Sequence, residues 1–331
     1  MKSHPIIVIG ASEGGVRALQ ALFAALPEAL PAAVFVVLHI GAHDSDLPAI
    51  LDRSGPLPAA HPNDGDPIHP GRVYVAPPDH HMIVSDGAVR LTKGPRENFA
   101  RPSIDPLFRS VAESYGPAAI GVILTGALND GTAGLYEIAR RGGVTIVQDP
   151  SDATNPSMPR SALSHVAVDH CEPLAMLPQL LRRIVAERVA STPIPSENLE
   201  NDMTAEYTLA QPIAVTCPDC GGALRQTQLG TLTQFRCHIG HVYTAEVMLA
   251  GQFRAMEQSI EAAMRSLNER AELCGQMAEQ AGRGEDTGTQ WRRARDEAHE
   301  QTAPLRELLE REWMHPALAN PRRHSAGAIG D

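Results

Sequence analysis

Over the first 190 positions the apolar residues come in short, unbroken runs. Ile6–Ile9, Val34–Leu38, Val73–Val75, Ile120–Leu124 and Val144–Val147 show no polar alternation. Such runs predict strands buried on both faces, as in a parallel sheet. Between them lie stretches with apolar residues at helical spacing: Val16–Ala25, Ile104–Tyr115, Gly131–Arg141 and Leu174–Val189. Met82–Val84 and Val89–Leu91 flank Ser85-Asp86-Gly87-Ala88, which predicts a β-hairpin. The alternation of strands and helices predicts an α/β domain over residues 1–189, with a doubly wound, mainly parallel sheet covered on both sides.

The pattern then changes. Residues 190–212 lack periodicity and are rich in Pro and Ser, which predicts a linker. Residues 213–245 hold a compact Cys/His unit. From 246 to 315, Leu249, Phe253, Met256, Ile260, Ala263, Leu267, Cys274 and Met277 keep near-heptad spacing. Gly282-Arg283-Gly284 breaks it, and Trp291, Ala294, Ala298, Leu305, Leu308 and Glu312 resume it. That predicts a helical hairpin whose second arm is kinked at Pro304. Residues 316–331 read as a disordered tail.

Composition narrows the function classes. The 331-residue chain is 43% hydrophobic and carries a formal charge of −11. The acidic balance argues against nucleic acid as the main partner. No apolar stretch is long enough to span a bilayer, so no membrane insertion is expected. Met1-Lys2-Ser3-His4-Pro5 runs straight into the first strand, and no signal peptide is expected ahead of it. Five cysteines are too few for a disulfide scaffold. Together these features predict a cytoplasmic protein.

The first strand ends in Gly10-Ala11-Ser12-Glu13-Gly14, a G-x-S-x-G turn that leads into a helix. Such a turn exposes a serine hydroxyl at the carboxyl end of a parallel strand, beside the positive end of the helix dipole. His39 ends the second strand, and Asp130 follows the third of this set. All three are expected at one edge of the sheet, where α/β crevices form. A serine needs a base to take its proton, and a histidine works best with a carboxylate holding its tautomer. Each residue also has a plainer role: Ser12 and Asp130 as helix N-caps, His39 as a buried histidine. The chain order Ser…His…Asp differs from that of α/β-hydrolases. Nucleotide binding at Gly14-Gly15 is disfavoured, because no G-x-G-x-x-G is present.

Five motifs in order resemble the catalytic domain of CheB-type chemotaxis protein-glutamate methylesterases. They are Ile9-Gly10-Ala11-Ser12-x-Gly14-Gly15, Val37-Leu38-His39-Ile40, Pro70-Gly71-Arg72-Val73-Tyr74-Val75-Ala76-Pro77-Pro78, Arg101-Pro102-Ser103-Ile104-Asp105 and Leu124-Thr125-Gly126-x-x-x-Asp130-Gly131. The resemblance implies a serine hydrolase of doubly wound α/β fold that needs no cofactor for catalysis. Its implied substrates are glutamate γ-methyl esters on chemoreceptor signalling helices, with glutamine deamidation in many members. By motif position Ser12 is the implied nucleophile, His39 the base and Asp130 its orienter. Backbone N–H groups of Glu13 and Ala127 are the implied oxyanion donors. Two residues depart from the family pattern: Glu13 replaces a small residue or threonine, and Ala127 replaces methionine. Many members also carry a receiver domain; with the esterase motifs starting near residue 5, none is expected here. Regulation is then expected to be absent, to come from the C-terminal half, or to come from a separate regulator docking there.

Cys217-Pro218-Asp219-Cys220 and Cys237-His238-Ile239-Gly240-His241 give C-x₂-C and C-x₃-H at zinc-ribbon spacing. Cys217, Cys220, Cys237 and His241 are the expected ligands of a structural zinc. The alternative is a degenerate ribbon that holds none. Three function classes remain: a methylesterase, an esterase acting on another ester or amide, and a non-catalytic scaffold that binds receptor helices.

Overall fold

The computed structural model describes residues 4–39, 45–190, 215–281 and 285–311. The segment 191–212, the Gly282-Arg283-Gly284 break, Ile40 and the tail beyond 311 lie outside the described residues.

Seven strands form one all-parallel sheet in the order β3-β4-β2-β1-β7-β8-β9. In chain order its elements are β1 (Ile6–Ala11), α1 (Gly15–Ala24), β2 (Ala33–Leu38), α2 (Leu47–Ser54), β3 (Ala59–Ala60) and β4 (Val73–Val75). A hairpin of β5 (His81–Ser85) and β6 (Ala88–Thr92) follows, then α3 (Ile104–Tyr115). The sheet resumes with β7 (Ala119–Ile123), α4 (Thr132–Arg140), β8 (Val144–Gln148), α5 (Ser157–His165), β9 (His170–Glu172) and α6 (Leu177–Ala190).

The unbroken apolar runs are explained by the two cores. Ile7, Ile9, Val34 and Val36 face α1, α2 and α6, packing on Leu19, Leu22, Leu51 and Leu181. Ile6, Val8, Phe35 and Val37 face the other side, packing on Leu107, Phe108 and Val111 of α3, Leu135 of α4 and Met82 of the hairpin. Every residue of β1 is buried, so neither face tolerates polarity. Each of these large side chains contributes about 1.5–3 kcal/mol through burial.

From β1 the chain runs to β2, on to β3 at the sheet edge and back to β4 between them, then crosses to lay β7 on the opposite side of β1. The carboxyl ends of β1 and β7 therefore flank the switch point, where α/β sheets open a crevice.

The hairpin turn is tighter than the four-residue loop expected from sequence. Ser85 and Ala88 pair within the ladder, leaving Asp86 (φ 53°) and Gly87 (φ 74°) as a two-residue turn. Asp-Gly favours this, since both positions need left-handed backbone.

A second, antiparallel sheet follows: β10 (Leu224–Leu229), β11 (Leu232–Cys237) and β12 (Val242–Thr244). The long helices α7 (Ala245–Gln280) and α8 (Glu285–Glu310) complete the described chain, and α8 continues through Pro304. The chain divides into two compact units, Met1–Met248 and Leu249–Asp331, so the ribbon packs with the α/β domain. Among the described residues no helix is long and apolar enough to cross a membrane.

Candidate active site

Ser12 stands just past β1, in a turn that β7 holds from the side. Its amide donates to the Thr125 carbonyl at 3.0 Å, and Thr125 Oγ1 donates to the Glu13 carbonyl at 2.9 Å. The turn closes on Gly14, whose φ of 79° is strained for any residue with a Cβ. Gly126 has a different reason to lack one: a Cβ there would meet the Met158 sulfur and would lie 2.9 Å from Ser12 Cβ.

Ser12 does not cap α1; that helix has Gly14 at its N-cap and no side-chain cap. The Ser12 hydroxyl instead lies 3.2 Å from His39 Nδ1. The other ring nitrogen, Nε2, lies 2.7 Å from Asp130 Oδ2. With Nε2–H donating to the carboxylate, Nδ1 is left as the acceptor for the serine hydroxyl. The structure thus brings together Ser12, His39 and Asp130, from three strand ends and up to 118 positions apart (130 − 12).

Asp130 does not cap α4 either, since Gly131 holds that position. Its carboxylate is 2% exposed, against 22% for His39. It accepts from the Ile104 amide at 2.7 Å, from Ser103 Oγ at 2.8 and 2.9 Å, and from Asn98 Nδ2 at 2.9 Å. Ile104 is the first residue of α3, so the carboxylate also faces the positive end of that helix. Burial acts to raise its pKa. The His39 contact, the Ile104 amide and the Asn98 carboxamide outweigh that and hold it below the usual carboxylate range. Beside it, Asp105 is buried and shares the Asn98 carboxamide at 3.0 Å. Burial and the neighbouring Asp130 charge push its pKa well above normal.

The backbone N–H groups of Glu13 and Ala127 find no acceptor among the described residues. Both border Ser12, one at the start of α1 and one after β7. The Glu13 side chain is exposed and its Oε2 accepts from Asn155 Nδ2 at 2.7 Å, which anchors the carboxylate at the rim. Ala127 is half-buried next to Leu128, whose φ of 60° turns the chain into Asn129 and Asp130.

The family model described as CheB methylesterase matches residues 7–181, a span that contains all of these residues. The chain belongs to the CheB methylesterase family. A Leptospira interrogans relative is 39% identical over 184 residues, 55% of this chain and 95% of that protein. An Anaeromyxobacter dehalogenans relative, named protein-glutamate methylesterase/protein-glutamine glutaminase 2, is 39% identical over 180 residues, 54% of this chain and 53% of its own length. The crystal structure of the Thermotoga maritima CheB methylesterase catalytic domain is 34% identical, with a TM-score of 0.53, covering 55% of this chain and 99% of that one. The CheB match ends before the Cys/His unit.

That unit gathers four ligand atoms within 4.8 Å of one another: Cys217, Cys220, Cys237 and His241. Two tight turns bring them in. Gly221 N–H returns to the Cys217 carbonyl, and Gly240 N–H to that of Cys237. Cys220 Sγ lies 3.7 Å from Cys237 Sγ, and His241 Nδ1 lies 3.7 and 3.4 Å from Cys217 and Cys237. A tetrahedral zinc with its usual bond lengths spaces two sulfurs by about 3.8 Å and sulfur from nitrogen by about 3.6 Å. The donor set and spacing therefore fit that ion. Tyr243, fully buried, lies with its hydroxyl 3.2 Å from Cys217 Sγ and donates to Asp219.

Asn98, Ser103 and Asp105 were not marked as site residues by sequence reasoning. Ser103 and Asp105 lie within a motif that resembled the family, yet spacing alone assigned them no role. Their function becomes visible only when α3 lays its N-terminus against Asp130.

Proposed function

We propose that the chain is a protein-glutamate methylesterase that uses Ser12, His39 and Asp130 as a catalytic triad. Its substrates in this reading are glutamate γ-methyl esters on methylated chemoreceptor helices. The observation that carries it is the continuous contact from Ser12 Oγ to His39 Nδ1 and from Nε2 to a buried carboxylate. It sits in a chain of the CheB methylesterase family.

In this reading His39 Nδ1 takes the Ser12 proton as Oγ attacks the ester carbonyl. The buried Asp130 carboxylate stabilises the imidazolium and is itself kept ionised by its donors. The negative charge on the tetrahedral oxygen is received by the Glu13 and Ala127 N–H groups and the start of α1. His39 passes its proton to the methoxy oxygen, the C–O bond breaks and methanol departs. Water then loses a proton to His39 and attacks the acyl-serine, releasing glutamate and restoring the hydroxyl. A glutamine side chain would follow the same steps with ammonia leaving.

The test is methanol release from methylated chemoreceptor fragments by the full chain. The expected result is turnover that Ser12→Ala reduces by several orders of magnitude, since triad members act as one unit. Equal release by the variant refutes the reading. Ammonia released from unmethylated, glutamine-containing fragments separates deamidase from esterase activity.

The Cys/His unit is read as a closed structural zinc site: Cys217, Cys220, Cys237 and His241 would hold the ion, with no open position for substrate. A bound ion there would supply folding free energy that the small ribbon core lacks.

A further inference from the structure

The candidate triad acid is not held by the α/β domain alone. Asn98 sits in the loop between β6 and α3, 7% exposed and in left-handed backbone (φ 51°). Its carboxamide nitrogen donates to Asp130 and Asp105, which sets its orientation from one side. From the other side the ribbon takes hold. Asn98 N–H donates to the Val242 carbonyl at 2.8 Å, and the Thr244 amide donates to Asn98 Oδ1 at 3.2 Å. Thr244 Oγ1 then donates to Asn129 Oδ1 at 2.7 Å, and Asn129 Nδ2 donates to Glu246 at 2.6 Å. Both neighbours of the catalytic loop are thereby tied to β12, which starts one residue after His241. The ribbon core of Cys217, Cys237, Tyr243 and Val247 packs directly on Phe99 and Leu128, the residues flanking Asn98 and Asn129. Phe99 and Tyr243 meet ring to ring at 4.9 Å.

We infer that the Cys/His ribbon is a working part of the esterase site: β12 orients Asn98, Asn98 orients Asp130, and metal loading of the ribbon sets that orientation. Asn98 is a positioning residue, acting on His39 through Asp130. The inference rests on the proposed triad and on the proposed zinc site. The physical warrant is a chain of buried hydrogen bonds that runs from β12, the strand directly after His241, through Asn98 to the carboxylate. Asn98, Thr244 and Asn129 are each at most 7% exposed, so a bond lost among them is not readily replaced by water.

The test uses the full chain loaded with zinc, stripped by a chelator, and reloaded with zinc sulfate alone. Two quantities are read: zinc per chain, and the rate of fluorophosphonate capture at Ser12 as a function of pH. Wild type is compared with Asn98→Gly, because glycine accepts the left-handed backbone while deleting the carboxamide. Stripping is expected to slow wild-type capture at least tenfold and to displace its pH midpoint, because Asp130 no longer meets His39 Nε2 in the geometry of the loaded chain. Reloading restores both. Asn98→Gly is expected to keep its zinc, to be captured at least tenfold more slowly with the midpoint displaced as in the stripped wild type, and to lose less than threefold more on stripping. A purely structural role would reduce the fraction of protein captured without moving the midpoint.

Three results overturn the inference alone: capture of stripped wild type at the loaded rate and midpoint, wild-type behaviour of zinc-loaded Asn98→Gly, or equal slowing of both proteins on stripping, which marks independent effects. Failure of the chain to take up zinc overturns the metal reading and this inference with it. A loaded wild type that is never captured overturns the reading of Ser12 and this inference together.

Discussion

Replacing Asp130 by asparagine isolates the contribution of one buried charge. The side chain keeps its shape, but one oxygen becomes an NH₂ group. Every direction it can point is occupied by a donor. At the Oδ2 position it would face His39 Nε2–H and the Ile104 amide, both 2.7 Å from the present oxygen. At the Oδ1 position it would face the Asn98 carboxamide nitrogen, at 2.9 Å. At least one buried donor is orphaned in either rotamer, at about 1–3 kcal/mol. The charge-assisted bonds that remain weaken to neutral ones, so the total loss of stability is about 2–4 kcal/mol. With a slope of about 2 kcal/mol per molar urea, the unfolding midpoint drops by about 1–2 M. Activity suffers more. An amide at this place favours the wrong histidine tautomer and cannot stabilise the imidazolium, an effect of about 10⁴ in turnover where a triad acid has been so changed. That equals about 5.4 kcal/mol of transition-state stabilisation. The assays are urea unfolding followed by circular dichroism, and methanol release under saturating methylated receptor fragment. Turnover within tenfold of wild type, in a protein that folds, would refute Asp130 as the orienting acid.

Three further expectations follow from the same geometry. Gly126→Ala forces a methyl group against Met158 and Ser12 Cβ, so methanol release should fall at least tenfold with a stability loss of about 1–3 kcal/mol; a wild-type rate would show that the Ser12 turn yields without cost. Glu13→Gln should change turnover less than about threefold at 0.15 M salt, because that carboxylate is exposed and already engaged by Asn155. A tenfold gain would instead place its charge against the oxyanion. Asp130 has a folded pKa depressed below its unfolded value near 4, so its stabilisation is present above about pH 4 and is lost as pH falls further. Asp105, raised by burial and by Asp130, acts in the opposite sense and weakens stability as pH climbs above about 4. The urea midpoint measured between pH 6 and pH 2.5 should therefore lose part of its acid dependence in Asp130→Asn, and an unchanged slope would contradict the assignment.

Much of this architecture was legible in the chain. The runs at Ile6, Val34, Ile120 and Val144 are apolar at every position because helices cover both faces, and that signal survives without any alignment. The helix over Ile104–Tyr115 was bounded by its own sequence, with Ser103 ahead and Gly116 behind. Strand β3 escaped because two alanines carry no periodicity, and β9 because its three residues are only partly buried. Helices α2 and α5 escaped because each is short, contains proline in its first turn or two, and buries few side chains. At the site, Ser12, His39 and Asp130 were singled out because strand ends are predictable landmarks, and the three side chains lie in hydrogen-bond contact. Asn98 was not, because its partners come from α3, from the loop after β7 and from β12, which meet only in three dimensions. The four clustered Cys and His residues were readable from spacing, yet nothing in that spacing indicated that the strand beyond His241 bonds to Asn98, which in turn holds Asp130.

The proposed esterase needs Ser12, activated by His39, to act as a nucleophile. Incubating the full chain with a fluorophosphonate probe and mapping the modified peptide by mass spectrometry tests it most directly. One adduct is expected, on the Ser12 hydroxyl, absent from Ser12→Ala and strongly slowed in His39→Gln. An adduct on another serine, or none at all in folded protein near neutral pH, would contradict it.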